Sequence, residues 1–100
     1  MISLTSPIEV AKNLALRVRV RRLSRGWSQA ELAVRAGLKV PTYVLFERRG
    51  RIALHRLLKV LEVLDLLDEF DRIGRGQDIA GLSLEDVIRP QRKRGRRTVP

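Results

Sequence analysis

Residues 28–48 read SQAELAVRAGLKVPTYVLFER, and the spacing of polar and apolar side chains in this stretch specifies two short helices joined by a tight turn. Ser28 offers a hydroxyl to the backbone N–H groups that open the first helix. Glu31, three residues on, can reach back to the Ser28 amide and complete a capping box. Ala33 is small enough for a second helix to cross closely. Gly37 can take the left-handed conformation that ends a helix and turns the chain. Leu38, Tyr43 and Phe46 then supply apolar anchors for the second helix. The pattern predicts helices over 29–36 and about 41–48, the second exposed on one side where a DNA major groove could receive it.

Upstream, Ser6-Pro7-Ile8-Glu9 repeats the start signal. Ser6 caps, Pro7 sits in the first turn where its missing N–H costs nothing, and Glu9 completes the box. A helix follows over 7–24, ended by Gly26, with Ile8, Ala11, Leu14, Ala15 and Val18 as its apolar stripe. Arg17, Arg19, Arg21 and Arg25 are expected to stay solvated. On the other side, 49–52 is a loop carrying Gly50, and a fourth helix over 54–64 has Leu54, Leu57, Leu58, Leu61 and Leu64 at helical spacing. Its cap position is Ala53, a poor N-cap, and Asp65 stands where a glycine would ease the chain out. A fifth helix over 67–73 offers Leu67, Phe70 and Ile73. Gly74-Arg75-Gly76-Gln77 breaks it, and Ser83-Leu84-Glu85-Asp86 can start one further turn. From Pro90 to Pro100 only Val99 is apolar, so that arm is expected to be disordered. The fold class read this way is all-α: a five-helix domain over 1–74, then a short linker helix and a flexible basic tail over 75–100.

The chain has 100 residues, a net charge of +10 and no cysteine. Disulfides and thiolate metal sites are therefore excluded, and no apolar run approaches the roughly 20 residues of a membrane span. The N-terminus has neither the basic region nor the apolar run of a signal peptide; the expected location is cytoplasmic, on the nucleoid. Charge falls in blocks. Residues 1–61 hold 13 basic and 3 acidic side chains, 62–88 hold 2 and 8, and 89–100 hold 6 and none. Single-sign blocks this dense point to a polyanionic partner, here a nucleic acid. No nucleophile, base or metal set suggests an enzyme or a cofactor. His55, without a second histidine or a cysteine, has no metal-ligand set and reads as a surface residue within reach of a phosphate.

The ordered set Leu14-x-x-Arg17-Val18-Arg19, Gly26-Trp27-Ser28-Gln29-x-Glu31-Leu32-Ala33, Ala36-Gly37-Leu38 and Phe46-Glu47-Arg48 resembles the Xre family of lambda-repressor-like helix-turn-helix regulators. Phe46-Glu47, Gly50-Arg51-Ile52-Ala53-Leu54-x-x-Leu57-Leu58, Leu67-Asp68-Glu69-Phe70-Asp71 and Ser83-Leu84-Glu85-Asp86 are similar to the HipB-like antitoxins, which partner HipA-type kinase toxins. The resemblance implies a double-stranded DNA operator as partner, a homodimer and, on its narrower reading, a HipA-like kinase toxin in a shared, autoregulated operon. A phage or mobile-element repressor without a toxin, and a protein-interaction module that retains the fold, are the alternatives.

The resemblance also assigns residues. Gln29 would brace the recognition helix and touch a phosphate. Arg22 would pair with Glu47 and set the angle between the first and third helices. The base-facing positions map to Val40, Pro41, Val44 and Leu45, with Thr42 nearby and Lys39 in place of the usual Ser cap. Only Thr42 could hydrogen-bond to base edges, so apolar contact with thymine methyls and phosphate contacts would carry the rest. Alternatively Val40, Val44 and Leu45 form a protein-binding patch, or Val44 and Leu45 turn into the core. Arg48, Arg49 and Arg51 are placed to clamp phosphate. The tail residues Arg92, Lys93, Arg94, Arg96 and Arg97 form a basic arm for phosphate or the minor groove. Leu66, Leu67, Phe70 and Ile73 either form the dimer contact that the family implies or close the monomer core.

Overall fold

The computed structural model describes residues 6–76. Five helices lie along them: α1 (Pro7–Ser24), α2 (Gln29–Arg35), α3 (Val40–Arg49), α4 (Leu54–Val63) and α5 (Leu67–Asp71). No strand occurs among the described residues. The linker turn expected from Ser83 and the basic arm, with Arg92, Lys93, Arg94, Arg96 and Arg97, lie outside them.

Local chemistry accounts for the first two helices. The Glu9 amide donates to the Ser6 hydroxyl at 3.2 Å and the Ser6 amide to the Glu9 carboxylate at 3.3 Å. The Glu31 amide donates to Ser28 at 3.0 Å and the Ser28 amide to Glu31 at 2.8 Å. These boxes satisfy N–H groups that a helix start otherwise leaves unpaired, and the hydrogen bonds with Ser28 hold the Glu31 carboxyl below its usual pKa. Lys39 and Ala53, the N-caps of α3 and α4, make no side-chain cap bond. Those helices are held instead by what they bury: Tyr43 and Phe46 on α3, and Leu57, Val60 and Leu61 on α4. Side-chain burial of this size is worth about 1.5–3 kcal/mol per residue, more than a cap supplies.

One cluster forms the core: Ala15 and Val18 of α1, Leu32 and Ala33 of α2 with Ala36, Tyr43 and Phe46, and Leu57, Val60, Leu61 and Leu64. Leu14 and Leu58 pack half-buried against it, and two further expected stripe members are exposed. Ile8 is 68% exposed and Leu54 is 60% exposed, because each occupies a helix's first turn. Val60, absent from the expected leucine stripe, is fully buried. The fifth helix is shorter than expected: it stops at Asp71 and Ile73 lies in the turn that follows. Gly74 and Gly76, in the turn beyond it, have positive φ.

The end of α3 meets α1 at close range. Gly50 has φ +72°, and a Cβ there would lie 2.9 Å from the Ala11 carbonyl carbon. Arg25 is also not simply solvated. Its guanidinium donates to the Val63 and Leu64 carbonyls, both at 3.2 Å, and to Asp65 at 2.9 Å. It thereby closes the C-terminus of α4 just where Asp65 takes φ +61°.

The chain divides into two units, Met1–Phe70 and Asp71–Pro100. Of the second, Asp71–Gly76 are described, where Arg75 pairs with Asp71 at 2.8 Å on an exposed surface. No helix among the described residues is long and apolar enough to cross a membrane.

Candidate nucleic-acid interface

α3 is fixed from inside by a polar seam. Glu47 of α3 receives Arg22 Nε at 2.7 Å and Nη2 at 3.1 Å, a two-pronged pair whose side chains are only 7% and 3% exposed. The Gln29 side-chain amide donates to the same carboxylate at 3.0 Å, and the Tyr43 hydroxyl donates to it as well. Arg22 Nη1 reaches the Trp27 carbonyl at 2.7 Å. One carboxylate thus joins α1, the α1–α2 connection, α2 and α3. No buried side-chain polar atom among the described residues lacks a partner, which is the condition for a buried charge to be tolerable.

The electrostatics follow from that closure. Burial drives the Glu47 carboxyl upward, but hydrogen bonds from Arg22, Tyr43 and Gln29 outweigh it and hold the pKa below the ordinary carboxylate value. The hydrogen bond with Glu47 raises the Arg22 pKa against the opposing effect of burial. Burial, then the bond to Glu47, raises that of the Tyr43 hydroxyl. Arg22 and Glu47 are therefore a permanently ionised pair at neutral pH.

With Tyr43, Phe46 and Glu47 turned inward, the opposite side of α3 is determined. Pro41, Leu45 and Arg48 are exposed, at the spacing of one helix face. Val40 is 37% and Leu45 48% exposed, while Thr42 and Val44 are half-buried at the borders. Neither Val44 nor Leu45 belongs to the core cluster, so α3 is not rotated to bury them. Lys39 is exposed at the helix start. Gln29 is half-buried, and its amide is engaged in bracing α3 through Glu47.

Cations surround this side. Arg48 lines a recess with Arg19, Arg22, Ser28, Gln29 and Glu47. Arg49 and Arg51 line a second with Ile8, Ala11, Lys12 and Gly50. Lys12 and Arg19 were not among the sequence-derived candidates. They are seven residues apart on α1, hence on one side of it, and that side faces the end of α3. The spacing was legible, but the side facing α3 was not. His55 is exposed, and no group of three potential metal-ligating residues occurs among the described residues.

A family model described as helix-turn-helix matches residues 18–69. The chain belongs to the helix-turn-helix family. The match spans α2, the Gly37 turn and α3, together with the part of α1 and the α4–α5 stretch that hold them. This helix-turn-helix chain is accordingly a sequence-specific DNA-binding regulator, and the Xre-like resemblance holds at that level. The match does not single out the HipB-like branch. No curated protein matches the helix-turn-helix chain.

Proposed function

We propose that the chain represses transcription by binding a palindromic operator as a homodimer, with α3 in the major groove. The observation that carries this reading is the exposed side of α3, held from within by a closed polar seam and bordered by Lys12, Arg19, Arg48, Arg49 and Arg51. The cations, with Gln29 and Lys39, engage phosphate. Thr42 reads base edges, and Val40, Pro41, Val44 and Leu45 pack against thymine methyls. Such a surface derives most of its affinity from phosphate and a smaller part from base identity. The basic arm, with Arg92, Lys93, Arg94, Arg96 and Arg97, adds phosphate contacts.

The dimer contact is assigned to Leu66, Leu67 and Phe70, which pack half-buried against the core; Ile73, expected with them, belongs to the second unit and is 70% exposed. Two-fold pairing would set the two α3 helices about 34 Å apart, one duplex turn. On the HipB-like resemblance the operator is the chain's own promoter, shared with a HipA-type kinase toxin.

Binding to the DNA upstream of its own gene, measured against a scrambled duplex at several salt concentrations, tests the reading. Preference for the upstream duplex, with two chains bound per site in sedimentation, supports it. Equal affinity for both duplexes returns α3 to the role of a protein-binding patch on a basic surface. Co-purification with the product of an adjacent kinase-like gene tests the antitoxin assignment separately.

A further inference from the structure

α1 carries apolar side chains on two opposite sides. Ala15, Val18 and Arg22 face the core. Leu16, Val20 and Leu23 face away and are 55%, 59% and 53% exposed. Their spacing of four and three residues aligns them in one stripe over two helical turns, and nothing among the described residues covers it. Cations flank the stripe on both edges. Lys12 and Arg19 lie on the edge facing α3. Arg17 and Arg21 lie on the other, lining a recess with Leu66, Glu69 and Phe70. None of the four makes an ion pair among the described residues.

We propose that this outer face of α1 docks an acidic amphipathic helix of a second protein, its apolar stripe on Leu16, Val20 and Leu23 and its flanking carboxylates on Lys12, Arg17, Arg19 and Arg21. A stripe of this length and straightness matches the i, i+3/i+4, i+7 anchors of a helix laid along it. The charge pattern selects the partner's chemistry. A second α1 would bring four cations against four, which like-charge juxtaposition disfavours. Three half-exposed side chains also fall well short of the ~800 Å² per partner of a standard stable interface, so the contact suits a separate, reversible partner. Glu69, the acidic group lining the Arg17–Arg21 edge, moderates that edge without reversing its sign.

The surface has a consequence for DNA. Arg19 belongs both to the stripe's flank and to the recess it shares with Gln29 and Arg48. A docked carboxylate that engages Arg19 withdraws a cation from the α3 side, so partner and duplex weaken one another reciprocally. This antagonism rests on the proposed DNA-binding role. The docking surface does not.

The test uses the full chain and two labelled synthetic helices with the same leucine stripe, one flanked by glutamates and one by lysines. The glutamate helix is expected to bind in the micromolar range at physiological salt, and the lysine helix not to bind. Joint substitution Leu16→Gln, Val20→Gln and Leu23→Gln should weaken the glutamate helix about tenfold or more while leaving the melting temperature nearly unchanged. Joint Arg17→Glu and Arg21→Glu should shift preference toward the lysine helix. If the three-glutamine variant binds as well as the parent, attraction to the net positive charge alone is at work and the proposal fails. It fails too if those substitutions dissociate a dimer in sedimentation, which assigns the stripe to a second copy. Loss of binding to phosphatidylglycerol vesicles, with neither peptide bound, would assign it to lipid and likewise overturn it. Added duplex should reduce glutamate-helix affinity in the parent and less so in Arg19→Ala. A chain that binds the helix but no DNA keeps the docking surface and loses the antagonism.

Discussion

The two sides of α3 differ in kind. Inward, within about one helical turn, Glu47 accepts directional bonds from Arg22, Gln29 and Tyr43, and Phe46 is sealed in the core. Outward, Pro41, Leu45 and Arg48 meet solvent, and the positions beside them are mostly apolar. Hydrogen-bonding capacity of the sort expected for reading bases is thus concentrated on the hidden side, where it holds the helix rather than recognises anything. Rigid presentation with few base-edge donors favours phosphate positioning over base readout.

The largest effect should come from the inner side. Glu47→Ala leaves the Arg22 guanidinium buried without its counter-charge, and a loss of about 3–5 kcal/mol of stability is expected, read as a lowered denaturant midpoint. A melting curve indistinguishable from the parent would show that the seam contributes nothing. Glu47→Gln separates charge from shape. Because the Glu47 pKa is depressed in the folded state, its ionic contribution is fully present above the unfolded value of about 4.3 and is lost as pH falls through the folded value. Parent and Glu47→Gln should therefore differ in stability at neutral pH and converge in acid. A gap that stays constant from pH 7 to pH 3 would contradict the assignment.

Next in size is the joint between α3 and α1. Gly50→Ala places a Cβ against the Ala11 backbone at a residue with positive φ. A destabilisation of about 1–3 kcal/mol is expected, together with weaker DNA binding as the end of α3 shifts. If stability falls and DNA affinity is unchanged, Arg49 and Arg51 do not depend on that joint.

The outer side should respond differently. Arg48→Ala, Arg49→Ala and Arg51→Ala should each lower affinity about equally for any duplex sequence and reduce the salt slope by ~0.9 per phosphate contact removed, with melting nearly unchanged. The smallest expected effect is Thr42→Ala. It should cost about 1 kcal/mol or less on the preferred sequence and alter discrimination at one base pair while sparing the salt slope. A uniform loss across sequences would make Thr42 a phosphate contact and leave α3 with no side chain that hydrogen-bonds to bases.

Much of this was legible in the chain itself. The capping boxes at Ser6 and Ser28 are interactions of residues three apart, so sequence order suffices to read them. The left-handed turn at Gly37 and the constrained exit at Asp65 are likewise local. The Arg22–Glu47 pair spans 25 positions, and its expectation came from the family resemblance. What stayed hidden depends on which side faces what. Ile8 and Leu54 match their stripes by period yet lie exposed, and Arg25 reads as solvated yet closes α4. Lys12 and Arg19 gain relevance only because α1 turns that edge toward α3.

The order of helices, their start signals and the concentration of positive charge in the first 61 residues follow from the sequence alone, since each depends on near neighbours or on a sum over residues. The orientation of α3, the convergence of three side chains on one carboxylate and the second apolar side of α1 were decided by tertiary packing. Periodicity states that a helix has an apolar side, but only the arrangement of its neighbours determines which side is covered and which is left to meet something else.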